Sequence, residues 1–373
     1  MESSTTLSDN LTEAPRKLRG VGTGSNFLVL HRPVWKKLCE AKTTNRLNLV
    51  TAFLVLQAGT GSDHRLTKWS AKACEEHAGM GKPRAKHAIE ELINLRLIKR
   101  TSTSSPMMPQ NEMPSVPRED EPIFLPKQLI TGLDGKTPII RRLREAGDFL
   151  ALRMLIDLYG LLETDATQGI SIAYFREGNV DETSARKVCE VGVNAVWAMP
   201  VPTIMGGSGE WVTAHSVKGG EPWAEFWDRV ELLKKVGAIW FEPWVFQGVS
   251  LDAEPLLPVD PAVLYSASPT DNVSELTKLM QDVSRLFVGE RDYLYERHYG
   301  EVLMPLPLHH QTPAIRGVMR MAVEADTPGA RRAYGKRMGI IEGATSGLKE
   351  LAGHIAKGKF DRPVRYARLA GSE

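Results

Sequence analysis

The sequence predicts a mainly α chain with small β wings, an α+β fold in which two similar units stand in series before a helical C-terminal region. Apolar residues recur at helical spacing over 45–57 and 82–95, with a glycine-containing corner between. A weaker copy of the same order of elements follows, its offset growing from 95 to 141 residues. After residue 274, Leu276, Leu279, Met280, Val283, Leu286 and Phe287 make one long stripe. The expected organisation is an arm over 1–26, a first unit over 27–121 with a long wing or linker at 101–121, a second unit over 122–260 with an insert at 164–215, and a helical region with a basic tail over 261–373.

The arm is polar, and its Arg16–Arg19 run suits a solvated tail. Order is expected from an extended Phe27–Leu30, and Pro33 then opens a short helix that buries Val34, Trp35 and Leu38. The next helix, about Asn45–Gln57, carries Leu49, Val50, Phe53, Leu54 and Gln57 on one side. Leu66, Trp69, Ala73 and Cys74 fall three or four apart and predict a further helix. Gly79 and Gly81 supply a sharp corner, because glycine tolerates positive φ. A helix from Lys82 follows, with Ala85, Ala88, Ile89, Leu92 and Leu95 inward and Lys82, Arg84, Lys86 and His87 crowding its exposed first two turns. Leu95–Arg100 reads as a strand leaving that helix, and 101–121, with its prolines and no periodicity, as a long wing tip or linker.

This stretch, about Phe27 to Arg100, resembles the winged helix-turn-helix family: a helix, a glycine turn, a recognition helix with a small residue near its start, and a leucine-rich exit into a two-stranded wing. The resemblance implies double-stranded DNA as partner. Lys82, Arg84 and His87 would then reach base edges or phosphates, Lys68 and Lys86 would fix register on the backbone, and Lys99 and Arg100 would approach the adjacent groove.

Charge is distributed in the same sense. The chain's formal +2 conceals 17 Lys and Arg against 9 Asp and Glu in the first hundred residues, 10 against 14 in the second, 8 against 15 in the third and 12 against 7 in the remainder. A polyanion would be drawn to the first unit and repelled by the centre. No run approaches the ~18–20 apolar residues of a membrane span, so a cytoplasmic protein with no membrane partner is expected. Cys39, Cys74 and Cys189 form no metal or disulfide spacing.

Three alignments define the second unit: Leu30–Leu38 over Leu125–Leu133, Val50–Gln57 over Leu152–Tyr159, and Ala85–Ile98 over Phe226–Ile239. Its third helix carries Glu221, Glu225, Asp228 and Glu231 where the first unit is basic, so it would repel phosphates. Trp240, Phe241, Trp244 and Phe246 fit either a protein interface or a strand buried against its own core. A homodimer through this unit or through the C-terminal helices is therefore open.

Enzyme signatures fail one by one. The GKT at 135–137 lacks the glycine of a phosphate-binding loop, since position 130 is Ile130. His309 and His310 are adjacent, which in regular structure points them apart, and no carboxylate completes a metal site. Tyr293, Tyr295 and Tyr299 suit a helical face without the histidine pair that a tyrosine nucleophile of the relaxase type needs. The expectation is a non-enzymatic, cofactor-free, sequence-specific DNA-binding protein. A transcriptional regulator leads, a plasmid or phage replication initiator comes second, and a protein-binding winged-helix scaffold third.

Overall fold

The computed structural model describes residues 26–105, 108–114, 122–133, 135–162, 169–171, 185–200, 221–248, 253–264, 269–289, 300–364 and 366. The chain is a mixed α+β fold. It opens with β1 (Phe27–Leu30) and α1 (Arg32–Glu40), the latter admitted by Pro33 in its first turn. The helix α2 (Arg46–Ala58) is buried on nearly every side, which explains why Leu49–Ala58 is apolar but for Thr51 and Gln57. Then come β2 (Leu66–Thr67), α3 (Ala71–Ala78), α4 (Lys82–Asn94), β3 (Lys99–Arg100) and β4 (Asn111–Glu112).

The helix expected around Leu66 begins later. Ser70 takes an extended backbone and its hydroxyl accepts from the Lys72 amide, so α3 starts at Ala71, and exposed Leu66 belongs to a strand. Pairs Thr67↔Asn111 and Arg100↔Asn111 set β4 between β2 and β3. The expected free wing is in part a closed hairpin. The Thr101 amide donates to the Gln110 carbonyl (3.1 Å), the Gln110 amide to Ser104 Oγ (2.9 Å), and Met113 is fully buried just beyond β4.

The second unit keeps part of this order, but where α3 stands in the first unit its described residues hold a β-hairpin that belongs to a different sheet. It consists of β5 (Ile123–Pro126), α5 (Gln128–Thr131), α6 (Ile139–Ala146), α7 (Phe149–Tyr159), β6 (Ile170–Ser171), the hairpin β7 (Arg186–Val191) and β8 (Asn194–Pro200), α8 (Glu221–Lys235) and β9 (Ile239–Phe246). Beyond it lie β10 (Pro255–Pro258), α9 (Asn272–Val288), β11 (Glu301–Pro307), β12 (Ala314–Met321) and α10 (Pro328–Ile355). The larger sheet runs β10-β9-β12-β6, so β12 sits between β6 and β9 as β4 sits between β2 and β3. A boundary at 260 therefore cuts this sheet.

The helical C-terminal region also needs correction, because 301–307 and 314–321 are strands. Pro305 and Pro307 lie within β11, which among the described residues pairs with β8 alone, and an edge strand tolerates proline. Arg316 and Arg320, within the region expected to be helical, stand instead on β12. They are 2% and 7% exposed, and Arg320 lies 3.7 Å from the buried Glu242 carboxylate.

The two units meet through their first strands. β1 and β5 pair antiparallel with Leu28↔Leu125 and Leu30↔Ile123. Under the offset of 95, Leu28 corresponds to Ile123 and Leu30 to Leu125, so the pairing maps onto itself when the units are exchanged. One core joins α2, α3, α4, α6, α7 and α8, and a second gathers α9, α10, β8 and β11. β9 and β12 wall both: Ile239 and Met319 belong to the first, Trp244 and Val318 to the second.

Candidate nucleic-acid interface

The site is built on the corner between α3 and α4. Gly79 ends α3 at φ +63°, a conformation that costs a side chain-bearing residue energy, and the Met80 amide closes the turn onto the Cys74 carbonyl at 3.1 Å. Gly81 then precedes Lys82 and Pro83 at the first turn of α4, whose Ala85, Ala88, Ile89 and Leu92 face the core. That leaves Lys82, Arg84, Lys86 and His87 exposed at the helix's positive end. Lys68 between β2 and α3, and Lys99 and Arg100 on β3, are exposed as well.

Helical geometry sorts these side chains. At 3.6 residues per turn, Lys82 and Arg84 project roughly 160° apart, so they flank the helix on opposite sides. His87 and Glu90 lie between them, furthest from the buried stripe. Two of the cations are already engaged: Lys82 Nζ lies 3.5 Å from Glu75, and Arg100 lies 2.5 Å from Glu90. Both pairs are solvent-exposed and worth at most about 1 kcal/mol, so an incoming phosphate can compete for the cations. The Arg100 pair also neutralises a carboxylate on the outermost line of α4.

Around the corner, Trp69 stacks on His77 with ring centroids 4.6 Å apart and fills the space beside Gly59. This fastens the approach to α3 against the end of α2. Arg65 pairs with Glu112 and closes the root of the wing. A group that the sequence reading passed over completes the corner. Arg144 of α6 donates from Nε to the Ala78 carbonyl (2.5 Å) and from Nη2 to the Gly79 carbonyl (2.9 Å). The signal was present in the amphipathic run Ile139–Ala146, but nothing in a linear sequence says which helix end a remote arginine will cap.

The corresponding helix of the second unit offers a different surface. Glu225, Asp228 and Glu231 are exposed on α8, and Arg229 is held by Glu225 (3.2 Å) and Asp148 (3.5 Å). The side chain of Glu221 lies outside the described residues. The aromatic strand is mainly interior: Trp244 and Phe246 are buried, Phe241 is half-buried under Lys234, and Trp240 alone of the four is exposed. Trp244 donates to Glu242 at 2.8 Å. A dimer resting on those rings would have to unpack the second core.

Reactive chemistry is sparse among the described residues. Burial pushes the Cys74 thiol up to about 12 and the Cys39 thiol up to about 11, which makes both poor nucleophiles. Gly135 lies in a turn between α5 and α6 rather than at the end of a buried strand. His309 and His310 occupy a turn after β11, where their rings approach to 4.9 Å instead of diverging, and among the described residues no group of three or more His, Cys, Asp or Glu could hold a metal ion. Tyr293, Tyr295 and Tyr299 lie outside the described residues, as do the arm and most of the basic tail. Among the described residues no helix is long and apolar enough to cross a membrane. No family model, no curated protein and no solved structure matches the chain.

Proposed function

We propose that the chain is a sequence-specific double-stranded DNA-binding protein, and that residues 27–112 are a winged helix-turn-helix unit that lays α4 in the major groove. The observation that carries this reading is the order helix, strand, helix, helix, strand, strand, with the last strand inserted between the other two and the exposed Lys68, Lys82, Arg84, Lys86, Lys99 and Arg100, with His87, around α4 and the wing root. A bland three-helix core would not need its positive charge collected at the one helix end whose dipole also favours phosphate.

In the proposed complex, His87 and Glu90 face base edges at the floor of the groove, while Lys82 and Lys86 on one flank and Arg84 on the other meet phosphates of the two groove walls. Lys68 holds the backbone near the start of α3. Lys99 and Arg100 bring the wing to the neighbouring groove. Transcriptional regulation is the role we assign first. Replication initiation is a second reading, favoured by the repeated strand order in the larger sheet, since initiators of the theta type carry two winged helices in series. The exposed carboxylates of α8 weigh against it, because they would meet phosphate with like charge.

The test is fluorescence anisotropy of labelled duplex with the full chain over a range of salt. Neutralising Z phosphates gives a slope of about −0.9Z in log K against log salt. Replacing Lys82, Arg84 and Lys86 by alanine should flatten that slope by roughly two to three units. An unaltered slope would remove α4 from the interface.

A further inference from the structure

We infer that Arg144 is a positioning residue for DNA recognition, bracing the α3–α4 corner from the second unit so that the angle of α4 depends on a helix outside the DNA-reading unit. This rests on the reading above. The last carbonyls of a helix have no intrahelical donor, and at a corner they must be satisfied by something else. At the end of α3 the Gly79 amide returns to Glu75 and the Met80 amide to Cys74, which leaves the carbonyls of Ala78 and Gly79 pointing outward. Arg144 takes both with one planar guanidinium. Such a rigid planar fork fixes two peptide planes in a preset geometry, which the compact, rotatable ammonium of a lysine does not impose.

The surroundings make the brace stiff. Ile139, Ile140 and Leu143 bury the inner side of α6, so Arg144 projects from a seated helix. Arg141, tied to Glu145 at 2.9 Å, covers the same corner so closely that a Cβ on Gly79 would stand 2.9 Å from its Nε. Gly79 is thus required for its positive φ, and a side chain there would also displace the end of Arg141. One turn further on, Asp148 caps α7 by accepting from the Ala151 amide and pairs with Arg229 of α8. α8 is thereby tied to the start of α7, which follows directly on α6.

A brace of this kind acts on geometry and contributes no phosphate contact. Its loss should lower affinity for the preferred sequence while leaving non-specific binding and the salt slope intact. The probes are a duplex selected by the wild-type chain from a random 20-base-pair library, and poly(dI-dC). Arg144→Met should weaken binding to the selected duplex about tenfold or more, the worth of one charge-assisted hydrogen bond, with the poly(dI-dC) affinity and both slopes unchanged. Arg144→Lys, which keeps the charge and can satisfy one carbonyl, should fall between and guards against a Met variant that does not fold. Amide exchange in the free protein should accelerate at 79–82 in both variants, and this readout needs no DNA. If both affinities fall in parallel with a flatter slope, Arg144 is a phosphate contact and the inference is overturned. If exchange at 79–82 is unaltered, the brace does not exist. A wild-type chain that selects no duplex overturns the DNA reading, while the exchange experiment still decides the brace.

Discussion

Arg32 and Lys127 make the same bond in opposite directions: Arg32 Nη2 donates to the Gly160 carbonyl at 2.8 Å, and Lys127 Nζ donates to the Thr60 carbonyl at 3.1 Å. Each cation follows the first strand of one unit and caps the end of the buried helix of the other. The two residues are equivalent under the 95-residue offset, so the clasp is reciprocal. Trp35, donating to Asp157 at 2.6 Å, strengthens one side of it. Replacing both cations by methionine should cost about 1–3 kcal/mol, the sum of two modest hydrogen bonds to carbonyls. Urea unfolding of the single and double variants checks this, and equal losses from the two singles would reflect the exchange of roles.

The buried ion cluster should be far less tolerant. Glu242, 4% exposed, receives Trp244 Nε1, pairs with Arg337 of α10 and faces Arg320. Removing its charge leaves buried guanidinium groups short of compensation, so Glu242→Gln should destabilise by about 3–5 kcal/mol. A loss under 1 kcal/mol in chemical denaturation would show that other groups carry the compensation.

Glu324 gives the protein a pH signature. Burial raises its carboxyl above the ordinary 4.5, against the lowering effect of Arg320 and Arg337. The folded state then holds the proton more tightly than the unfolded one. Its contribution is complete below the ordinary value and is lost as pH rises through the raised one. The wild-type melting temperature should therefore gain, on acidification from neutral pH toward 5, an increment that Glu324→Gln lacks.

Gly79→Ala should abolish preferred-sequence binding with only a moderate loss of stability. The substitution forces a Cβ into a positive-φ corner and against Arg141, a strain of order 1–3 kcal/mol. Rescue of binding by a second change, Arg141→Ala, would mean that the steric approach matters more than the backbone conformation.

In the wing, Met113→Ala should cost about 2–5 kcal/mol, as expected for a buried methionine. Met108→Ala on the exposed tip should leave stability within about 0.5 kcal/mol. Thermal melts of the two variants check the contrast.

Much of the first unit was legible because its signals are local. Pro83 after Gly81, the stripe Ala85–Leu92 and the glycine corner each act within a few residues, and α4 begins at Lys82 as expected. Lys82, Arg84, Lys86 and His87 are exposed for the same reason, since helical spacing fixes which side they leave. The rest depended on partners far along the chain. Arg316 and Arg320 are buried because Phe246, Glu242 and the Gly248 carbonyl stand opposite them, roughly seventy residues away. The aromatic run of β9 fitted either a partner or its own core, and the second core takes Trp244 and Phe246. Arg144 belonged to a stretch with no motif at all, and its role exists only because α6 packs beside the α3 terminus.

The pairing of β1 with β5 joins two equivalent strands that, on separate molecules, would meet only as often as dilution allowed. Linked within one chain, they experience an effective concentration set by the intervening residues, and it is the same in a scarce protein as in an abundant one. One edge of each strand is thereby consumed internally, where it cannot template pairing with a stranger. This reciprocal pairing of β1 and β5 is inherited with every copy synthesised, and no assembly equilibrium has to be crossed to obtain it.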